Sequence, residues 1–138
     1  MIKVVLDTNL WVAAWLWRGI PQRLIELAQE RQIISCTSLE ILQELKKVLS
    51  YPKLQKQLSL IAYNQEDILM GTKEISIIYP IETVNIPELR DSDDTIILAT
   101  AIAAQANVII SGDKDLLTLT TYQNISILNV KTFLNLYF

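Results

Sequence analysis

The chain has no histidine and only one cysteine in 138 residues. Without imidazole or paired thiolates, the soft and borderline metal sites that zinc favours are closed to it, and oxygen donors are nearly all that remain. Those donors suit hard divalent cations such as Mg²⁺ or Mn²⁺. Cys36 has no partner for an internal disulfide, which fits a reducing cytoplasm. Glycine (three) and proline (four) are scarce, and no repeat, low-complexity stretch or interdomain linker interrupts the chain. Long apolar runs are missing too. Leu10–Trp17 and Ile96–Ala104, the latter broken only by Thr100, fall well short of the roughly 18 residues of a membrane span. The Met-Ile-Lys start carries no signal-peptide pattern, so a cytoplasmic protein without a membrane partner is expected.

What is present is a globular composition, 51% hydrophobic and 20% charged, long enough for one domain over residues 1–138 with a sizeable core. The mean hydropathy of +0.29 is high for a soluble monomer, and suggests that a partner or second copy covers some apolar surface. The net charge of −3 argues weakly against nucleic-acid binding. Its distribution argues the other way, because Leu45 to Gln65 holds Lys46, Lys47, Lys53 and Lys56 and no acid. That segment reads either as a solvated helix face or as a phosphate-facing patch.

Strand and helix signals alternate. Residues 2–6, 32–36, 74–79, 108–111 and 126–130 read as strands, the first β-branched and continuous. Helices are expected at 9–17, from Pro21 to about 31, from a Thr37 or Ser38 cap to 49, at 53–60, at 65–73, from a Ser92 or Asp93 cap to about 105, and at 131–137. Residues 81–89, with Pro87, read as a loop. This order implies an α/β fold, a three-layer α/β/α domain with a parallel sheet of about five strands and helices on both faces.

The acids fall where such a fold places ligands, in the crevice outside the carboxyl ends of the strands. Asp7 ends the first strand, in LDTN. It suits a ligand position and equally a cap for the helix that follows. Asp91, Asp93 and Asp94 stand together in RDSDDTIILATA. A helix dipole accounts for one or two acids there, but three in four positions repel one another, and a cation would relieve that repulsion. Asp94, just before an apolar helix start, is the one expected to face the sheet, with Asp91 and Asp93 left solvated. Asp113 and Asp115 follow the fourth strand in SGDKDLL, as ligands or as ordinary loop and cap residues. Glu44 lies on a helix, and composition does not distinguish it from a solvated glutamate.

These segments resemble, in family order, the PIN domain, and more narrowly its toxin-component members related to VapC. The residues that carry the resemblance are LDTN at 6–9, the Gly-x-Pro-x-x-Leu run at 19–24, ILQEL at 41–45, YPKL at 51–54, RDSDDTIILATA at 90–101 and VIISGDKDLL at 108–117. The resemblance implies four acids, Asp7, Glu44, Asp94 and Asp113, as catalytic residues and metal ligands. Asp91, Asp93 and Asp115 are accessory, and Thr8, Asn9 and Ser111 support them. Which of Asp91, Asp93 and Asp94 would ligate directly stays open. The implied activity is Mg²⁺- or Mn²⁺-dependent endoribonuclease, whose metal would supply an activated water, phosphate neutralisation and leaving-group stabilisation. A 5′-phosphate and a 3′-hydroxyl are the expected ends. The missing histidine argues against the metal-free route through imidazole.

Single-stranded or looped RNA is the expected substrate. Lys46, Lys47, Lys53, Lys56, Arg90 and Lys114, with Arg18, would steer it. A cognate antitoxin and a homodimer or higher oligomer are the expected partners, with Trp11, Trp15 and Trp17 at an interface. Two alternatives stand beside this reading. One is a non-catalytic PIN module that binds RNA or protein. The other is a haloacid-dehalogenase-like phosphatase, whose chemistry wants a second Asp two positions after the first, where this chain has Asn9.

Overall fold

The computed structural model describes all residues from Met1 to Phe138 except Arg18 and Thr83. The elements run β1 (Lys3–Leu6), α1 (Thr8–Leu16), α2 (Gln22–Gln29), β2 (Ile34–Thr37), α3 (Leu39–Leu49), α4 (Pro52–Leu58), α5 (Gln65–Glu74) and β3 (Ser76–Ile78). They continue with α6 (Ser92–Ala104), β4 (Val108–Ile110), α7 (Lys114–Leu119), β5 (Thr121–Tyr122), β6 (Ile125–Leu128) and α8 (Val130–Tyr137). The sheet order is β3-β2-β1-β4-β6-β5. The first five strands in that order pair in parallel, and β5 adds a short antiparallel edge against β6. Val4, Val5, Val108, Ile109 and Ile110 are buried, as strands covered by helices on both faces must be.

The sequence placed every parallel strand and missed β5, whose two residues are too few to show alternation. Several boundaries move for local reasons. Val130 belongs to α8 and not to the last strand, because the side chain of Asn129 accepts a hydrogen bond from the Thr132 amide and caps the helix there. The expected strand from 74 shortens to Ser76–Ile78, since α5 runs on through Glu74. Ser38 caps α3, accepting from the Ile41 amide at 3.3 Å. Neither Ser92 nor Asp93 caps α6. Asp91 does, accepting from the Asp93 amide at 2.9 Å.

Trp11, expected at an interface, is instead a core residue with 1% of its surface exposed. It lies on α1, which packs against α2 and α3, and its indole is part of the core there. Trp15 is spent within the chain as well. Its Nε1 donates to Thr72 Oγ1 at 3.0 Å, and its ring stands edge-on to Tyr63. Trp17 is the exposed member of the three, at 45%.

Candidate metal centre at the carboxyl end of the sheet

The register of β1 against β4 sets the geometry. Leu6 pairs with Ile110, so the residues just beyond them, Asp7 and Ser111, emerge side by side. The Ser111 hydroxyl donates to Asp7 Oδ2, and its oxygen accepts from the Asp113 amide at 2.9 Å. Asp7 Oδ1 accepts from the Leu10 amide at 2.8 Å and so caps α1. Asp113 Oδ1 accepts from the amides of Asp115 and Leu116 and caps α7. Asp7 and Asp113 thus do the capping job that the sequence offered for each. One oxygen of each fixes a helix start, and the carboxylate is held in place at the sheet end.

Asp94 differs from them. It begins α6 one turn in from the cap, is buried with 7% exposure, and its Oδ2 has no hydrogen-bond partner among the described residues. Burial raises its pKa to about 7, with the charges of Asp113, Asp91, Asp115 and Asp7 adding to the effect. Burial also raises Asp7, against hydrogen bonds from Ser111 and the Leu10 backbone that favour its charged form. Glu44 is half-buried and raised as well, first by burial and then by the charge of Asp93. No salt bridge relieves this end among the described residues. The ion pairs found there join Arg23 to Glu26 and Glu30, on and just beyond α2.

One carboxylate oxygen from each of Asp94, Asp113 and Asp115 lies within 4.8 Å of the others. Ligands on opposite sides of an octahedral Mg²⁺ are about 4.2 Å apart, so this triad is near the span of a small hard cation. Asp7, Glu44, Asp91, Asp93, Asp94 and Asp113 line a cavity of about 80 Å³, with Thr8, Asn9 and Ile97. The residues fit a divalent metal.

Four elements meet here, and one contact that registers two of them escaped the sequence reading. Ser38 and Thr100 share a buried 2.8 Å hydrogen bond that joins the start of α3 to the middle of α6, the helices that carry Glu44 and Asp94. Its only trace in the sequence is that Thr100 interrupts an apolar run. Of the cations, Lys114 borders the site, and Lys47 is close enough to oppose the rise at Glu44. Lys46 lines a different groove, between α3 and α5, with Glu66 and Lys73. Lys53 and Lys56 are exposed on α4, and Arg90 is exposed beside Asp91. Arg18 lies outside the described residues.

Fold and site together define a mixed α/β domain with a cluster of acids at the carboxyl end of its sheet that could hold a metal ion. A family model described as the PIN domain matches residues 3–115, and the chain belongs to that family. This membership displaces the phosphatase alternative. The chain is 37% identical over 122 residues to the uncharacterised protein MJ1680 of Methanocaldococcus jannaschii, an alignment that covers 86% of this chain and 75% of that protein. Its fold is similar to a chain in the crystal structure of VapBC2 from Rickettsia felis bound to a DNA fragment from their promoter. That match has a TM-score of 0.60 and 18% identity, and covers 93% of this chain and 98% of the other. Among the described residues, no helix is long and apolar enough to cross a membrane.

Proposed function

We propose that the chain is a Mg²⁺- or Mn²⁺-dependent endoribonuclease of VapC type, the toxin half of a cytoplasmic toxin–antitoxin pair, with residues 1–138 as one PIN domain. The observation that carries this reading is the buried Asp94 carboxylate, unpartnered and converging with Asp113 and Asp115. Membership of the PIN family and the VapBC2 likeness in fold support it.

In this reading Asp94, Asp113 and Asp115 hold the cation, with Asp7 and Glu44 completing the acidic wall. The bound metal supplies charge neutralisation at the scissile phosphate, activation of water and stabilisation of the leaving oxygen. Ser111 keeps Asp7 ionised and oriented by donating to it, and holds the Asp113 loop through the Asp113 amide. The Ser38–Thr100 bond fixes the distance between Glu44 and Asp94. Asp91 and Asp93 stand at the rim and add negative potential. That negative potential would repel RNA unless a bound cation offset it.

A pool of labelled RNAs, incubated with Mg²⁺ or Mn²⁺, tests the reading, with EDTA and Asp94→Asn as controls. Cleavage that needs both metal and Asp94, leaving 5′-phosphate ends, is expected. Cleavage that survives EDTA would sink it. Metal uptake without cleavage of any RNA would favour the non-catalytic PIN module. Co-purification from the native host with a small protein that inhibits cleavage is expected of the antitoxin. Light scattering that shows a dimer or larger assembly is expected of the free chain.

A further inference from the structure

The flank where α1 meets α5 carries a hollow of about 590 Å³ that shares no lining residue with the acidic cavity. That volume lies within the roughly 300–1,000 Å³ of ordinary ligand sites. One face of α5 forms a wall, because Asp67, Met70, Gly71 and Glu74 recur at helical spacing. Trp15 and Tyr63 form an aromatic corner, their rings 6.1 Å apart and inclined at 78°. The Trp15 Nε1 is already spent on Thr72, so its ring offers the hollow a π surface and no donor. Tyr63 and Met70 are exposed, at 49% and 62%. Asp67 and Glu74 are exposed too, and neither is in a salt bridge among the described residues. The Asp67 carboxylate is held in place by accepting from the Asn64 amide at 3.0 Å. No lysine or arginine among the described residues lines the hollow.

We propose that this hollow binds a linear aliphatic polyamine, one terminal ammonium at Asp67, the other at Glu74, and the methylene chain laid over Met70 and the aromatic corner. The inference is independent of the nuclease reading. Acids without a neighbouring base select a cation and repel phosphate. Aromatic faces attract ammonium groups, and the apolar wall covers methylenes. The spacing of the acids selects for length. Seven residues on a helix of 1.5 Å rise place the Asp67 and Glu74 Cα atoms about 10.5 Å apart on nearly the same side. A compact divalent ion cannot span that gap, and a lysine side chain brings a single ammonium. An extended triamine with a charge at each end reaches both acids at once.

Calorimetric titration of the full chain with spermidine tests this, in saturating Mg²⁺ so that the amine does not collect at the acidic end. Putrescine, about half as long, is the comparison. Glu74→Gln and Tyr63→Ala change exposed side chains, and their melting temperatures check that both variants fold. One spermidine per chain is expected, bound more tightly than putrescine. Each variant should weaken spermidine about two- to fivefold, and the double variant about tenfold. Spermidine bound equally by wild type and the double variant overturns the site. Putrescine bound as tightly as spermidine overturns the pairing with both acids. A Lys-rich helical peptide that binds wild type but not the double variant, with spermidine unbound by either, overturns the polyamine and gives the hollow to a protein partner.

Discussion

Two parts of this molecule bury polar groups, and they do it in opposite ways. On the flank where α1 meets α5, Trp15 donates to Thr72 Oγ1, and the Thr72 hydroxyl donates in turn to the Ile68 carbonyl at 2.8 Å. The indole lies on Gly71, where a Cβ would come within 2.9 Å of it. These groups satisfy one another's hydrogen bonding. At the carboxyl end of the sheet, Asp7, Glu44, Asp94 and Asp113 supply acceptors without enough donors, and the shortage centres on Asp94. The flank is built for stability. The acidic end gathers carboxylates that raise one another, at a cost to stability.

The comparison breaks most sharply at Asp94. Asp94→Asn should lower RNA cleavage by about a hundredfold or more, since metal charge stabilisation is worth several kcal/mol and each ~1.4 kcal/mol is a factor of ten. The same change should raise the melting temperature of the metal-free protein, because it removes a buried charge that repels its neighbours. A variant that loses both activity and stability would mean that Asp94 is a structural residue.

The pH dependence follows from the same group. Its pKa is raised from 3.8 to about 7, so the fold favours the protonated form. Its contribution to stability is full below the unfolded value and is lost as the pH rises through about 7. Thermal unfolding of metal-free protein should show this decline across that window, flattened in Asp94→Asn. Saturating Mg²⁺ should reverse the slope, because metal competes with protons for the same oxygens. A metal-free stability that rises steadily over the window would contradict the assignment.

Smaller effects sharpen the contrast. Ser111→Ala leaves Asp7 Oδ2 without its donor and should cost about 1–3 kcal/mol in denaturant unfolding. It should also shift the onset of metal binding to higher pH, because the Asp7 carboxylate is then harder to ionise. Gly71→Val should cost ~1–3 kcal/mol by overpacking against Trp15, with Mg²⁺ affinity unchanged. Trp15→Phe, which removes the hydrogen bond to Thr72 and part of the ring that packs on Gly71, should cost about 1–3 kcal/mol and also spare the metal. If either flank variant altered Mg²⁺ affinity as much as stability, the two regions would not be separable.

Much of the architecture was legible along the chain. Continuous β-branched runs marked β1 and β4, and Ser38, Pro21 and Pro87 punctuated helices and loops where expected. Asp7 and Asp113 were legible because they sit at strand ends, a position defined locally. Asp94 is buried and Asp91 exposed, as the apolar helix start after Asp94 implied, whereas Asp93, also expected to be solvated, is half-buried beside Glu44. The tryptophans were misjudged, because two aromatics four apart on a helix look alike whether they face a core or a partner. Ser38 and Thr100 are far apart in the chain, and nothing local pairs them.

The sequence by itself determined the alternation of strand and helix, the oxygen-only donor set and the acids at strand ends, since each depends on neighbours a few residues away. Only the tertiary structure decided that Asp94 is buried without a partner and that Asp113 and Asp115 converge on it. Burial and mutual repulsion depend on segments brought together from across the whole chain, and no local pattern encodes the distance between them.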